Sequence, residues 1–191
     1  EEDILAGNIR RKLHIFNATD ERPGVKLSGN TLYGWGFKIN TDGTGYTELA
    51  GFPPWNGVQD WYLVFEVSGT NYFASTSGGG LYDAGTVFKL NAEGTGYTIL
   101  KDSIYSNAGL IQGTDGALYG TTPYGGNADG WGTVFKINPD GTGYSILHSF
   151  SETNDSGAVP YGKLLQAADG ALYGTTWGGS GLGSGTVFKL N

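Results

Sequence analysis

The sequence has no cysteine and few basic residues, and each shortage argues against a class of protein. Without cysteine, disulfides, zinc–thiolate sites and thiol nucleophiles are excluded. Only 11 lysines and arginines stand against 18 aspartates and glutamates, giving a net charge of −7. Nucleic-acid binders usually carry a basic stripe, whereas the one basic cluster here, residues 10–12, is typical of a solvated or edge-protecting strand. We therefore expect neither nucleic acid nor an anionic membrane as a partner.

Long apolar runs and the common catalytic signatures are also missing. No apolar stretch approaches the length of a membrane-spanning helix. There is no Gly-x-Ser-x-Gly elbow, no His-Glu-x-x-His and no phosphate-binding Gly-Lys-Ser/Thr. The two histidines, His14 and His148, occupy equivalent outer-strand positions and are expected to pack rather than to bind a ligand. We predict no cofactor, no metal site built from side chains and no catalytic residue, so an enzyme is the less favoured class. A central cation held by backbone carbonyls of the four first strands is left open.

Glycine and aromatic residues are what the sequence has in abundance. It contains 35 glycines, and aromatic residues make up 14% of the chain. Disordered chains have few aromatics, so this glycine-rich composition is not one of disorder. Glycine together with β-branched and aromatic residues suits many short strands joined by tight turns. The composition predicts an all-β domain.

An internal repeat organises the chain. The phrase Gly-Thr-Val-Phe-Lys-Leu/Ile-Asn recurs, with a shortened first copy, and its phenylalanine returns at intervals of about 50 residues, at Phe37, Phe88, Phe135 and Phe188. A second phrase precedes it, as in ALYGTT at 117–122 and 171–176. Asp-Gly turns between alternating apolar runs are hairpin signals. Each unit therefore reads as four strands, which matches a propeller blade. In the third unit these strands are expected at 109–112, 117–122, 133–138 and 144–150.

One aromatic residue recurs at the same strand position of every unit, at Tyr33, Phe73, Tyr119 and Tyr173. Because the position repeats, we predict that these rings pack between neighbouring blades, and we predict the same for the valine and phenylalanine of the Gly-Thr-Val-Phe phrase.

Counting the strands predicts a single four-bladed β-propeller over residues 1–191. The blades are expected at about 24–52, 58–102, 108–150 and 161–191, with residues 8–16 added to the last. The closing phrase at 186–191 has no strand after it, while residues 10–16 resemble a fourth strand without a third. We predict that these two segments pair, which removes an exposed edge. Half of an eight-bladed ring is the alternative.

These phrases resemble a known family. DGALYGTT, GTVFK[IL]N and the DGTGY turn are similar to the Gly-Thr-Val-Phe tandem-repeat proteins of bacteria, sometimes called GloVer repeats, with an NHL-like blade order. The resemblance is close over 85–191 and looser over 1–84. It implies a β-propeller and brings no defined activity or catalytic motif.

The variable loops gather at one end of the predicted blades. The turns between first and second strands and between third and fourth strands are short and uniform, whereas the other end carries long loops rich in aromatic and polar residues. Aromatic rings beside carboxylates and amides suit a sugar, whose C–H face stacks on a ring. The alternative is that these rings fold back over the blade ends. The candidate ligand-binding residues are Trp35, Trp55, Tyr82, Asp83, Tyr124, Asn127, Asp129, Trp131, Asp155, Tyr161 and Trp177.

Three functions remain open from the sequence. The first is a non-catalytic binding or scaffold module that recognises a glycan or a protein surface through this end. The second is an architectural subunit that assembles with itself or with other proteins. The third is a glycan-active hydrolase or lyase built on Asp83, Asp129 and Asp155. A start at Glu1 without methionine is consistent with a removed signal peptide, so an extracytoplasmic location is expected.

Overall fold

In the part of the chain that it describes, the computed structural model contains sixteen short strands in four antiparallel sheets. The structure describes residues 26–28, 30–34, 37–48, 66–68, 71–91, 96–106, 108–126, 130–151, 157–178 and 185–191, and no helix occurs within them. The all-β class predicted from the sequence is therefore confirmed for this part of the chain.

The four sheets follow one another along the sequence. Sheet 1 contains β1 (Lys26–Ser28), β2 (Thr31–Gly34), β3 (Phe37–Asn40) and β4 (Thr47–Glu48). Sheet 2 contains β5 (Glu66–Ser68), β6 (Asn71–Ser75), β7 (Thr86–Asn91) and β8 (Thr98–Asp102). Sheet 3 contains β9 (Ile111–Gln112), β10 (Leu118–Thr122), β11 (Thr133–Ile137) and β12 (Ser145–Ser149). Sheet 4 contains β13 (Ala158–Pro160), β14 (Leu165–Gln166), β15 (Leu172–Gly178) and β16 (Val187–Leu190).

The Asp-Gly-Thr-Gly turns join third to fourth strands through one hydrogen-bonding pattern. In sheet 3, Asn138 N–H donates to the carbonyl of Thr142, and the Asp140 carboxylate accepts from the backbone N–H of Thr142 at 2.9 Å and from its hydroxyl at 2.7 Å. Sheet 1 repeats this pattern with Asn40, Asp42 and Thr44. The aspartate and threonine of the repeated phrase are thus committed to the turn.

Each sheet has two faces, which we name after the Gly-Thr-Val-Phe phrase. In sheet 3 the pairs Tyr119↔Lys136 and Thr121↔Val134 lie on the valine face, and Leu118↔Ile137 and Gly120↔Phe135 lie on the phenylalanine face. The same pairing recurs in sheets 2 and 4. Because side chains alternate across a strand, the two faces contact different neighbours.

The valine face of one sheet packs on the phenylalanine face of the next. Phe73 and Val87 of sheet 2 form a buried cluster with Leu110, Leu118, Phe135 and Ile137 of sheet 3. On the other side of sheet 3, Tyr119 and Val134 form a second cluster with Leu164 and Leu172 of sheet 4, against which Phe188 and Leu190 pack. Phe73, Tyr119 and the valines of β7 and β11 therefore pack between sheets, as the sequence predicted. The central strands of sheet 3, β10 and β11, are therefore covered on both faces.

Sheet 4 departs from the pattern of the other three. Its inner edge is divided between β13 and β14, which pair with different parts of β15 on the same side. On the outer side, β16 pairs with β15, and the described residues contain no strand beyond it. The strand predicted to lie there, 10–16, falls outside the described residues. Its pairing with 186–191 and the single-domain division into four blades stay predictions.

His148 lies where the sequence placed it, in the outer strand β12. Its half-buried ring meets the ring of Phe150 edge-on, with 4.7 Å between the ring centroids. His14 falls outside the described residues.

Candidate functional site

A pair of threonines joins the two ends of each long loop between second and third strands, and we call this base of the loop its neck. The hydroxyls of Thr122 and Thr133 are 2.8 Å apart, and that of Thr122 also donates to the carbonyl of Tyr124 at 2.7 Å. Sheets 2 and 4 have the same arrangement in Thr76–Thr86 and Thr176–Thr186. Because these hydroxyls are buried or partly buried, they fix where each loop starts and ends. This explains the threonine of the repeated phrase.

The glycine of the same phrase is required by space and by conformation. Gly132 has a φ of 101°, and a Cβ there would meet the backbone carbonyl oxygen of Thr122. Gly85 has a φ of 79°, and its Cβ would meet the carbonyl oxygens of Thr76 and Ile104. Such φ values strain any residue with a Cβ. The loop between second and third strands therefore closes tightly at its base.

The loop between β6 and β7 is shaped by two carboxylates. Asp83, which has a φ of 53°, accepts the backbone N–H of Gly79 at 2.7 Å. Asp102 accepts the N–H groups of Leu81 at 2.9 Å and Ser103 at 2.7 Å. The predicted ligand residue Asp83 is thus engaged by its own loop. Tyr82 at the tip is 74% exposed, beside an exposed Leu81.

Two tyrosines from different segments meet at the same end. The rings of Tyr105 and Tyr124 lie with centroids 5.4 Å apart at an angle of 56°. Tyr105 belongs to the connection between sheets 2 and 3, and Tyr124 to the loop after β10. Tyr124 is 55% exposed while Tyr105 is half-buried. Sequence reasoning named Tyr124 and missed Tyr105; the signal for Tyr105 was its place in a connection at the predicted loop end.

The remaining described candidates lie around β13. Trp131 is half-buried, packs against the cluster between sheets 3 and 4, and accepts the N–H of Val159 at its carbonyl. Tyr161, which follows β13, is exposed. Trp177 is 77% exposed and lies within β15 rather than in the loop that the sequence suggested, because β13 pairs with this end of β15.

Five candidates lie outside the described residues. The residues outside the described part of the chain are Trp35, Trp55, Asn127, Asp129 and Asp155. The acidic set Asp83, Asp129 and Asp155 is therefore described at one member only. Among the described candidates, Tyr124 makes a ring contact with Tyr105.

The opposite end of the sheets is built from turns whose polar groups hold one another. Lys136 donates to Asp115 at 2.7 Å, and the hydroxyl of Tyr119 donates to the same carboxylate at 2.8 Å. These hydrogen bonds hold the pKa of Asp115 at about 2. The equivalent Asp169 has a lowered pKa, chiefly through the backbone N–H of Ala171, and meets Lys189 at 3.6 Å. These aspartates therefore stabilise the turns by accepting their hydrogen bonds.

Two classes of feature are not found among the described residues. No group of three or more histidine, aspartate or glutamate side chains is placed to hold a metal ion there. Within the same ranges, no helix has the length and apolar character needed to cross a membrane.

The comparisons agree with an all-β repeat protein. The model of the Gloeobacter/Verrucomicrobia repeat matches residues 24–191, so the chain belongs to that repeat family. The resemblance read from the Gly-Thr-Val-Phe phrases is confirmed at the level of the family. No curated protein matches the sequence.

One solved structure has a similar fold. It is the extracellular domain of a protein proposed as a one component system, BT4673, from B. thetaiotaomicron. The likeness has a TM-score of 0.51 at 13% identity and covers 83% of the present chain. The chain spans 20% of that structure's length. At this identity the likeness concerns the fold.

Proposed function

We propose that the four sheets are successive blades of a β-propeller, in NHL-like order, and that their loop end binds a glycan outside the cytoplasm. The blade arrangement is supported by three four-stranded meanders and by the regular packing of valine face on phenylalanine face. Residues 10–16 would complete the outer edge of sheet 4. This module is non-catalytic.

The observation that carries the binding proposal is the Tyr105–Tyr124 pair. Two tilted rings from separate segments, 5.4 Å apart, offer a surface of fixed shape. The backbone at Tyr124 is held in place because its carbonyl accepts a hydrogen bond from the Thr122 hydroxyl. A surface held in advance loses little conformational entropy on binding. The C–H face of a sugar can stack on the exposed ring of Tyr124 while phenolic hydroxyls bond to sugar hydroxyls.

An extracytoplasmic location is part of the proposal. It is supported by the similar structure being an extracellular domain. Glycan binding fits that location, since polysaccharides are abundant outside cells. No observation on the described residues favours the hydrolase alternative, because Asp83 is engaged with the backbone of its own loop. A protein surface as ligand is an outcome of the test.

The test is a glycan array probed with wild-type protein and a Tyr105→Ala/Tyr124→Ala double variant. We expect saturable binding to at least one glycan class and at least a tenfold loss in the double variant. Tyr82→Ala, which removes an exposed ring from another loop, is the matched control and should bind like wild type. No glycan bound, or equal binding by the double variant, would overturn the proposal; binding to a protein alone would replace the ligand class.

A further inference from the structure

Two sheet–sheet interfaces of this chain follow one rule. The valine face of sheet 2 is covered by the phenylalanine face of sheet 3. The valine face of sheet 3 is covered in turn by the phenylalanine face of sheet 4. The valines at the centre of these faces, Val87 and Val134, are both 0% exposed. A hydroxyl on each valine face also donates to a carbonyl of the next connection, Ser75 to Ala108 and Thr121 to Gly162.

The valine face of sheet 4 breaks the rule. Val187, the equivalent of Val87 and Val134, is 77% exposed. Leu165, which pairs with Tyr173 on this face, is 66% exposed, and Trp177 lies on the same side of β15. A face that is apolar at these positions and uncovered is typical of an interaction surface. Continuity with the other two interfaces defines what should cover it: the phenylalanine face of another sheet of this repeat.

Sheet 1 has the matching backbone register. Its pairs Leu32↔Ile39 and Gly34↔Phe37 correspond to Leu118↔Ile137 and Gly120↔Phe135 of sheet 3. Sheet 4 has the same register. The exposure of Val187 means that sheet 1 of the same chain does not cover it.

We infer that the valine face of sheet 4 docks on the phenylalanine face of sheet 1 of a second copy. Two copies related by a twofold axis make this contact twice and leave neither valine face exposed. The result is a ring of eight sheets, within the range known for propellers. Ile39 is 6% exposed in the single chain, so the proposed contact requires this residue to exchange its present neighbours for those of the second copy. The inference uses the proposed blade arrangement and is independent of the ligand.

Sedimentation velocity over a wide concentration range tests the assembly. We expect the wild type to reach twice the chain mass of 20.1 kDa. Val187→Asp places a charge in the contact and should weaken the dimer at least tenfold. Leu147→Asp, which alters an exposed apolar residue of β12, should leave the dimer intact. A monomer throughout the range, or a dimer unaffected by Val187→Asp, would overturn the inference.

Crosslinking then identifies the contacting sheets, since the sequence has no cysteine of its own. Val187→Cys and Ile39→Cys proteins are mixed and treated with a short bis-maleimide. Their equivalents Val87 and Ile137 share one buried cluster, so we expect a crosslinked pair in the mixture. If Val187→Cys protein alone gave as much crosslinked dimer as the mixture, sheet 4 of one copy would lie against sheet 4 of the other. That result would refute the proposed contact between sheet 4 and sheet 1.

The array experiment separates this inference from the proposed function. Val187→Asp protein keeps Tyr105 and Tyr124 unchanged, so it should bind the same glycan as wild type. Loss of assembly with retained binding supports both conclusions, whereas assembly without any glycan bound supports the dimer and refutes only the ligand.

Discussion

Single hydroxyls set the stability of the loop necks. Thr133 is 3% exposed, and its hydroxyl faces that of Thr122, which already donates to Tyr124. Thr133→Val keeps the shape and removes this hydrogen bond, so we expect a loss of about 1 kcal/mol in the free energy of unfolding. Urea unfolding measures it, with the exposed Thr114→Val as the control. Equal stability of the two variants would show that the threonine pair contributes nothing.

Acid should weaken the protein through Asp115. Its pKa in the folded chain is about 2, below the ordinary value of 3.8, because Lys136 and Tyr119 donate to it. The folded state therefore binds this proton less readily than the unfolded state. The stabilisation is full above about pH 4 and is lost as the pH falls toward 2. The side chain is 42% exposed, so we expect less than about 1 kcal/mol.

Urea unfolding of Asp115→Asn at several pH values checks this. The variant should be less stable than wild type near neutral pH and should approach it at low pH. Asp169→Asn is the matched control, since its lysine is farther away, at 3.6 Å, and it should show a smaller pH-dependent difference. An Asp115→Asn curve parallel to wild type across the acid range would contradict the role of the carboxylate.

Residue-level prediction from the sequence succeeded where a residue recurs. Phe73 and Tyr119 were predicted to pack between sheets because they occupy the same place in each repeat, and both are buried. Tyr105 was missed because its contact with Tyr124 joins two segments that the repeat does not align. Asp83 was read as a ligand residue because the sequence does not reveal that its carboxylate turns back to Gly79.

At the scale of elements, the loop after β10 depends on the glycine that ends it. Gly132→Ala combines a φ of 101° with a Cβ against the carbonyl of Thr122, so it should lower the free energy of unfolding by about 1–3 kcal/mol or more. Gly125→Ala is the control: its φ is 87°, but nothing lies within 4 Å of the added carbon. Thermal unfolding compares them. A Gly125→Ala loss equal to that of Gly132→Ala would show that the close carbonyl is unimportant.

The strands themselves were predicted well because hairpin signals and alternation are local. β10, β11 and β12 fall within the segments read from 117–122, 133–138 and 144–150. The inner edge of sheet 4 was not anticipated. Pairing of β13 with the end of β15 brings Trp177 into a strand, and that pairing joins segments that no turn motif connects.

For the whole molecule, hydrogen exchange should be slowest in sheet 3. All five residues of β10 are buried, and both faces of its sheet are covered. Amides that exchange only on extensive opening should therefore lie in β10 and β11, whereas β16, whose valine is exposed, should exchange much faster at low protein concentration. Native-state exchange followed by mass spectrometry measures this.

Measuring hydrogen exchange at several protein concentrations also tests whether the chain assembles. If two copies assemble, protection of β16 should rise with protein concentration. Strong protection of β16 in dilute protein would instead indicate that the chain covers this edge by itself, as the predicted pairing with 10–16 would do. Uniform protection of all four sheets would contradict the order expected from burial.

The repeated contact between valine and phenylalanine faces bears on how such a chain could grow or shrink. Sheets 2 and 3 pack on each other in the same way as sheets 3 and 4, so the contact does not depend on which two successive sheets form it. Duplication of one gene segment of about 50 residues would add a sheet that its neighbours accept on both sides. In the proposed propeller, the geometry of ring closure would therefore set the number of sheets, and a change in that number would leave each individual contact unaltered.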